Sequence, residues 1–315
     1  MAVGAALKSV FGKKGGKKSK KPAKRKAAPK KAEVSEAERL EEEALEAERA
    51  KQKQGFNYFS PSRLDVAEAL WDEGILTPGG YDYALYLVKV LGLTDANSLL
   101  QIGGELGGVA RAWTRAYGVW VDALERDETF AKNAAGRSAR EGLGKKANIK
   151  LYDPETFNLK ERKYDAVASI ETFYTIKDKQ HLFSEIHKSL RPNGHLVFSD
   201  IVKGMDGDLP VDVEKWIDDE PYPVFLTTPN EMVDIMKASG FEIRISENIT
   251  ADHRKMIIEG WVKYLGKLNK QILMEKCDDV LAECAFWARR VKALDSGGIR
   301  YQRFHAIKLP DKPKF

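Results

Sequence analysis

Two cysteines in 315 residues exclude a fold stapled by disulfides. Cys277 and Cys284 lie seven apart in a segment of helical periodicity, and no further His or Cys ligands stand near them. They read as helix-face thiols in a reducing compartment, not as a metal site. Long apolar runs are also missing. No stretch of 18 consecutive apolar residues occurs, so no membrane-spanning helix is expected. The N-terminus lacks the apolar core of a signal peptide, and Ala2 removes the glycine that myristoylation requires. A cytoplasmic protein is expected, with attachment to the inner membrane surface as a peripheral option.

The first 32 residues lack acid altogether and hold twelve Lys or Arg, leaving 40 basic against 47 acidic residues in the remainder. The net charge of +5 and the pI of 8.9 therefore describe the tail, and the rest is mildly acidic. Residues 12–31 also lack large apolar side chains and are expected to be disordered, because they bury too little to offset ordering entropy. A basic run of this kind suits an anionic membrane surface, at about 1 kcal/mol per basic residue near the surface. Without interleaved aromatics it is no base-stacking platform. Residues 8–31 are thus expected to meet anionic lipid, or nucleic acid nonspecifically, or else only to solubilise the chain. Residues 33–54 are Glu-, Ala-, Arg- and Lys-rich and read as an exposed charged helix or linker. A boundary is expected at 54/55.

What is present begins at about Tyr81, where short apolar runs alternate with amphipathic stretches. With 43% hydrophobic residues the chain has enough to build a core. Strands are expected at 98–102, 119–124, 149–152, 164–170, 194–200, 241–245 and 300–307. Helices are expected at 81–91 (Leu85, Val88 and Leu91 on one face), 109–117, 129–141, 179–190, 230–239 and roughly 251–294. Strands separated by helices of this length imply βαβ units, hence an α/β fold with a doubly wound, mainly parallel sheet. Ligands of such sheets sit at the carboxyl ends of the strands.

Those ends carry the chemistry. Ser98-Leu-Leu-Gln-Ile102 runs into Gly103-Gly104-Glu105-Leu106-Gly107-Gly108. Glycines there let backbone approach a ligand and let the next helix pack on the strand. Glu125 ends the second strand, where a carboxylate can accept both ribose hydroxyls of an adenosine. Asp153 ends the third, placed to meet an adenine amino group. Ile170 and Glu171 end the fourth. A dinucleotide-binding domain would share the glycines and first acid. The later stretch argues otherwise: a helix ending at Leu190, a tight turn Arg191-Pro192-Asn193-Gly194, then an apolar strand through Asp200.

Over residues 64–309, and most specifically over 164–201, this layout resembles the class I S-adenosylmethionine-dependent methyltransferases. Leu70-Trp-Asp-Glu-Gly-Ile-Leu-Thr-Pro-Gly-Gly80 is similar to the segment before the first strand in phosphoethanolamine and related small-amine N-methyltransferases. The resemblance implies a Rossmann-like seven-stranded sheet whose last strand is antiparallel, and S-adenosylmethionine as cofactor. It implies a domain over 55–315, with 55–80 as a lid and 251–294 as a helical insertion over the acceptor side. Leu76, Thr77, Gln101, Gly103, Gly104, Glu105, Gly107, Glu125, Asp153 and Ile170 would meet the cofactor. Glu171 would orient the acceptor, a small-molecule or lipid head-group amine or hydroxyl. Asp200 and residues 212–222, with Trp216 and Tyr222, would line its pocket, where rings attract a cationic amine.

Three positions depart from the family pattern. Gln101 stands where an acid is usual. Glu105 stands in place of the loop's middle glycine, where its carboxylate can turn toward the cofactor's cationic groups instead. Thr175 stands where the small-amine enzymes carry a general-base histidine, and Tyr58 corresponds to that histidine's tyrosine partner. Methyl transfer depends mainly on in-line positioning, so the enzyme reading survives these changes. The alternative is a catalytically degenerate methyltransferase fold, a binding or scaffold protein tethered by its basic tail. Ile170-Glu-Thr-Phe173 replaces the Asn/Asp-Pro-Pro-Tyr/Phe grip on a flipped base, which disfavours a nucleic-acid methyltransferase.

Overall fold

The computed structural model describes residues 59–310. Its strands are β1 (Ser98–Ile102), β2 (Trp120–Glu125), β3 (Ala147–Leu151), β4 (Tyr164–Ile170), β5 (Leu190–Lys203), β6 (Phe241–Asn248) and β7 (Ile299–Lys308). They form one sheet in the order β3-β2-β1-β4-β5-β7-β6. The pairs among β1 to β5 are parallel, and β7 runs antiparallel between β5 and β6. This is the seven-stranded sheet the sequence resemblance implied. The chain order reverses at β1/β4, and that switch point fixes where a crevice opens.

The helices are α1 (Pro61–Trp71), α2 (Gly80–Val88), α3 (Gly108–Tyr117), α4 (Glu128–Arg140), α5 (Lys179–Ser189), α6 (Val211–Asp219), α7 (Pro229–Ala238), α8 (Thr250–Leu265) and α9 (Lys270–Asp295). Their starts are written in the sequence. Ser60, Asp127, Asp178 and Asn269 each accept a backbone N–H from their own first turn, and Thr228 with Glu231 forms a capping box on α7. Each such cap contributes about 1 kcal/mol. Leu182, Phe183 and Ile186 of α5 and Met232 and Met236 of α7 pack with Leu100, Val167, Phe198 and Phe304 of the sheet. Burying each such side chain stabilises by about 1.5–3 kcal/mol. No described helix is long and apolar enough to cross a membrane.

Two expectations shift. α2 buries Tyr83, Ala84, Leu87 and Val88; of the expected face only Val88 is buried, Leu85 and Leu91 are half-buried, and residues 89–91 tighten into a 3-10 turn. The cause is docking on α3, where Trp113 Nε1 donates to the Ala84 carbonyl at 2.8 Å. The turn at 191–194 lies inside β5 as a bulge: Tyr164 pairs with Leu190, Ala166 with His195, and Asn193 takes φ 64°.

Candidate active site

The loop after β1 is drawn tightly onto the end of β2. Gly103 N–H and Gly104 N–H both donate to the Leu124 carbonyl, at 3.0 and 2.9 Å. A Cβ on Gly103 would lie 1.9 Å from Thr172 Oγ1, and its φ is 86°. Glu125 is buried and takes the Glu105 N–H on Oε2 (2.6 Å) and the Asp127 N–H on Oε1 (2.8 Å). Burial raises its carboxyl above the usual range, and those N–H donors partly oppose the rise. Each oxygen still has acceptor capacity toward the crevice.

Glu105 adopts φ 46°, the left-handed region that glycine fills without strain. Its Oε2 accepts the Leu76 N–H at 2.9 Å, tying the segment before α2 to the loop. Burial pushes Glu105 up to about 8, the Leu76 N–H opposes this, and the charges of Glu125 and Glu171 add to it. Gly74 and Gly108 complete the tie, since Gly108 N–H donates to the Gly74 carbonyl at 2.9 Å. Cβ atoms there would come within 2.5–2.8 Å of the opposing backbone. Thr77 is buried in the same segment. Gln101 Nε2 donates to the Gly103 carbonyl at 2.6 Å, while its buried Oε1 has no partner among the described residues.

At the ends of β2 and β3 lies a cleft of about 630 Å³, lined by Arg126, Asp127, Leu151, Tyr152, Asp153, Pro154 and Tyr222. The Arg126 guanidinium sits 4.8 Å over the Tyr222 ring. Asp153 is on the exposed rim, with its carboxylate accepting from Glu155 N–H and Thr156 Oγ1. Arg126 also donates to Thr175 Oγ1 at 3.3 Å, and that hydroxyl donates to the Thr172 carbonyl at 2.7 Å. Thr175 is thus held from both sides. Ile170 is buried at the end of β4. Tyr58 lies outside the described residues.

Beyond β4 and β5 a group of polar side chains is buried with few partners. Glu171, at φ 48°, holds Arg290 Nη1 on Oε2 at 2.5 Å, while its Oε1 has no hydrogen-bond partner among the described residues. Arg290 Nη2 reaches Glu220 at 2.7 Å, and Glu220 also takes Tyr174 OH and Trp216 Nε1. Burial alone would lower the Arg290 guanidinium, but Glu220 and Glu171 outweigh it and hold it charged. Both Asp200 carboxylate oxygens lack hydrogen-bond partners among the described residues, and burial raises this carboxyl well above the usual range against the pull of Lys179. Burial lowers Lys179 to about 8, and its Nζ donates to the Ile176 and Phe225 carbonyls. His253 is fully buried, and among the described residues neither of its ring nitrogens has a hydrogen-bond partner.

Sequence reasoning pointed to Glu171, Asp200 and the 212–222 segment that holds Trp216 and Glu220, and missed His253, Arg290 and Tyr301, the ring stacked on His253. The last three come from three separate elements, so no local spacing announces them. A charged residue amid the apolar positions of α9, Arg290 between Trp287 and Val291, was the one available signal.

The sheet order, the antiparallel β7 and the glycine loop facing Glu125 define the class I S-adenosylmethionine-dependent methyltransferase fold. Within that class, residues 81–292 match the mycolic acid cyclopropane synthetase family, and the chain belongs to it. It is 26% identical over 202 residues to phosphoethanolamine N-methyltransferase 2 of Caenorhabditis elegans, covering 64% of this chain and 45% of that protein. Against phosphoethanolamine N-methyltransferase of Plasmodium falciparum it is 22% identical, covering 80% and 94% of the two chains. The chain thus spans about half of the nematode relative and nearly all of the Plasmodium one. Haemonchus contortus phosphoethanolamine N-methyltransferase 2, solved with S-adenosyl-L-methionine, superimposes with a TM-score of 0.69 at 21% identity, covering 81% of this chain and 58% of that one.

Proposed function

We propose that this protein transfers the methyl group of S-adenosylmethionine to the nitrogen of a small amine. The observation that carries this reading is the line of buried carboxylates Glu125, Glu105 and Glu171 along the strand ends. Each is raised by burial, and Glu105 further by the other two, so a cation among them is favoured. A cofactor with a sulfonium and an ammonium group, beside a cationic amine, suits that line. Glu125 would take the ribose hydroxyls, and the cleft at Arg126, Tyr152, Asp153 and Tyr222 the adenine. Gly103, Gly104 and Gly107 would admit the methionine part by backbone approach. Leu76, Thr77, Gln101 and Ile170 would close around it.

The bound cofactor supplies an activated methyl on a cationic sulfur. The chain's own residues bind, orient and exclude water. The segment 72–79, latched through Glu105 and Gly74, covers the loop. Glu171, fixed by Arg290, offers its free Oε1 to an N–H of the acceptor. Thr175, engaged by Arg126, contributes no base. The relatives' named substrate, phosphoethanolamine, is the first acceptor to test, with ethanolamine and sarcosine beside it. The scaffold alternative has one observation in its favour, Glu105 occupying the glycine position of the loop.

Calorimetric titration of S-adenosylmethionine and S-adenosylhomocysteine into the full chain tests the reading. Micromolar binding is expected. Glu125→Gln should weaken it by about ten- to a hundredfold, as loss of a charge-assisted hydrogen bond of about 1.5–3 kcal/mol implies. Failure of both ligands to bind would sink the enzyme reading and select the scaffold.

A further inference from the structure

His253 sits on the first turn of α8 with no exposed surface and with both ring nitrogens unpaired among the described residues. Each buried nitrogen left without a partner costs about 1–3 kcal/mol, a cost that an apolar side chain of similar size would avoid. The ring is clamped against Tyr301 of β7, with centroids 3.8 Å apart and planes 20° from parallel. Its Nδ1 faces Glu171 Oε1, also buried and unpaired, across 3.7 Å. That separation is too long for a hydrogen bond between the two. The groups facing the imidazole are therefore Glu171 from the end of β4, Tyr301 from β7 and, within charge reach, Arg290 from α9. Burial, then the Arg290 charge, holds the imidazole well below its usual value. It stays neutral at pH 7 and keeps a lone pair.

We propose that His253 is the proton acceptor of this site, acting with Glu171 on a small primary or secondary ammonium ion. The inference rests on the methyl-transfer reading above. Glu171 Oε1 accepts one N–H of the ammonium and an imidazole nitrogen of His253 accepts another. The second proton moves from the ammonium to the imidazole. The lone pair so freed forms the new N–C bond, while the electron pair of the breaking S–C bond returns to sulfur. The imidazolium is stabilised by the Glu171 carboxylate and loses its proton to solvent once the product leaves. An imidazole thus serves the site from α8, although the position after β4 holds Thr175. Arg290 is matched by two carboxylates, Glu171 and Glu220, so this cluster has one carboxylate in excess for a monocation.

The test uses the full chain labelled with 15N-histidine and saturated with S-adenosylhomocysteine, and His253→Gln assigns the His253 ring signal. Without amine that signal should report a neutral ring from pH 6 to 8, shifting when phosphoethanolamine, ethanolamine or sarcosine is added. In turnover assays His253→Gln should lower kcat by about 10²–10⁴-fold, the usual contribution of a general base. Its S-adenosylhomocysteine affinity and melting temperature should stay those of the wild type. An unmoved His253 signal in the presence of every amine, with S-adenosylhomocysteine bound, overturns the inference and leaves cofactor binding standing. So does a His253→Gln protein with kcat within twofold of wild type. Loss of S-adenosylhomocysteine binding by the wild type would instead overturn the reading on which the inference rests.

Discussion

At position 105 the backbone calls for glycine and the chain supplies glutamate. Holding a non-glycine residue at φ 46° costs about 1–2 kcal/mol. Two contacts offset it: Glu105 N–H to Glu125 Oε2, and Leu76 N–H to Glu105 Oε2. The side chain therefore does not point away from the fold; it replaces loop flexibility with a latch. The latch is pH-dependent with a definite sign. A carboxyl raised to about 8 keeps its proton where the unfolded chain, near 4.5, has lost it. Its contribution to stability is complete below about 4.5 and is lost as pH rises toward 8. Glu105→Gln retains an acceptor for Leu76 but has no charge to bury. In urea melts the variant should gain on the wild type between pH 5 and 8, and a pH-independent difference would contradict the assignment. A cationic cofactor favours ionised Glu105. Binding of S-adenosylmethionine near pH 7 should therefore release more protons than binding of S-adenosylhomocysteine, which keeps the ammonium but lacks the sulfonium.

Among the elements, those that were legible in the sequence differ from those that were not for a physical reason. The carboxyl-terminal halves of β1, β2, β4 and β5 are buried on consecutive residues, hence on both faces, and each strand carries a short apolar run. Their ends, with the glycine loop and Glu125, follow directly. α1 carried no such signal, because its buried face includes Arg63, which pairs with Glu283 of α9 at 2.5 Å. α6 buries only Val213 and Trp216 among acidic residues. The acceptor-side polar cluster was legible only in part, for the same reason at larger separation: Glu171, Asp200 and the 212–222 segment could be named, whereas His253, Arg290 and Tyr301 come singly from α8, α9 and β7. α9 is its keystone, since Arg290 joins the ends of β4 and α6. Arg290→Met would leave Glu171 and Glu220 buried without a counter-charge, and about 3–5 kcal/mol of stability should be lost in a denaturant titration. Adding Glu171→Gln and Glu220→Gln should recover much of it. A triple variant as unstable as the single would show that packing, not charge, makes Arg290 necessary.

Over the whole molecule, charge is divided by position. Residues 1–32 hold twelve Lys or Arg and no acid, whereas the rest of the chain carries seven more acidic than basic residues. That first stretch lies outside the described residues, so its partner follows from charge alone. We propose an anionic membrane surface, because the run lacks the aromatics that base stacking needs. Near such a surface each basic residue contributes about 1 kcal/mol, and the attraction falls off within a Debye length of about 8 Å at physiological salt. The full chain should therefore sediment with phosphatidylserine vesicles at low salt, should not do so with phosphatidylcholine vesicles, and should be released on approaching 0.5 M salt. Replacing Lys13, Lys14, Lys17 and Lys18 by Gln should weaken vesicle binding by orders of magnitude. The S-adenosylhomocysteine affinity should not change, because those residues are remote in sequence from the strand-end residues proposed to hold the cofactor. Binding to phosphatidylcholine and phosphatidylserine vesicles alike, or salt-independent binding, would show that apolar insertion rather than charge holds the chain to lipid. A chain that ignores both vesicles but is retained by single-stranded RNA in a salt-dependent way would reassign the basic run to nucleic acid.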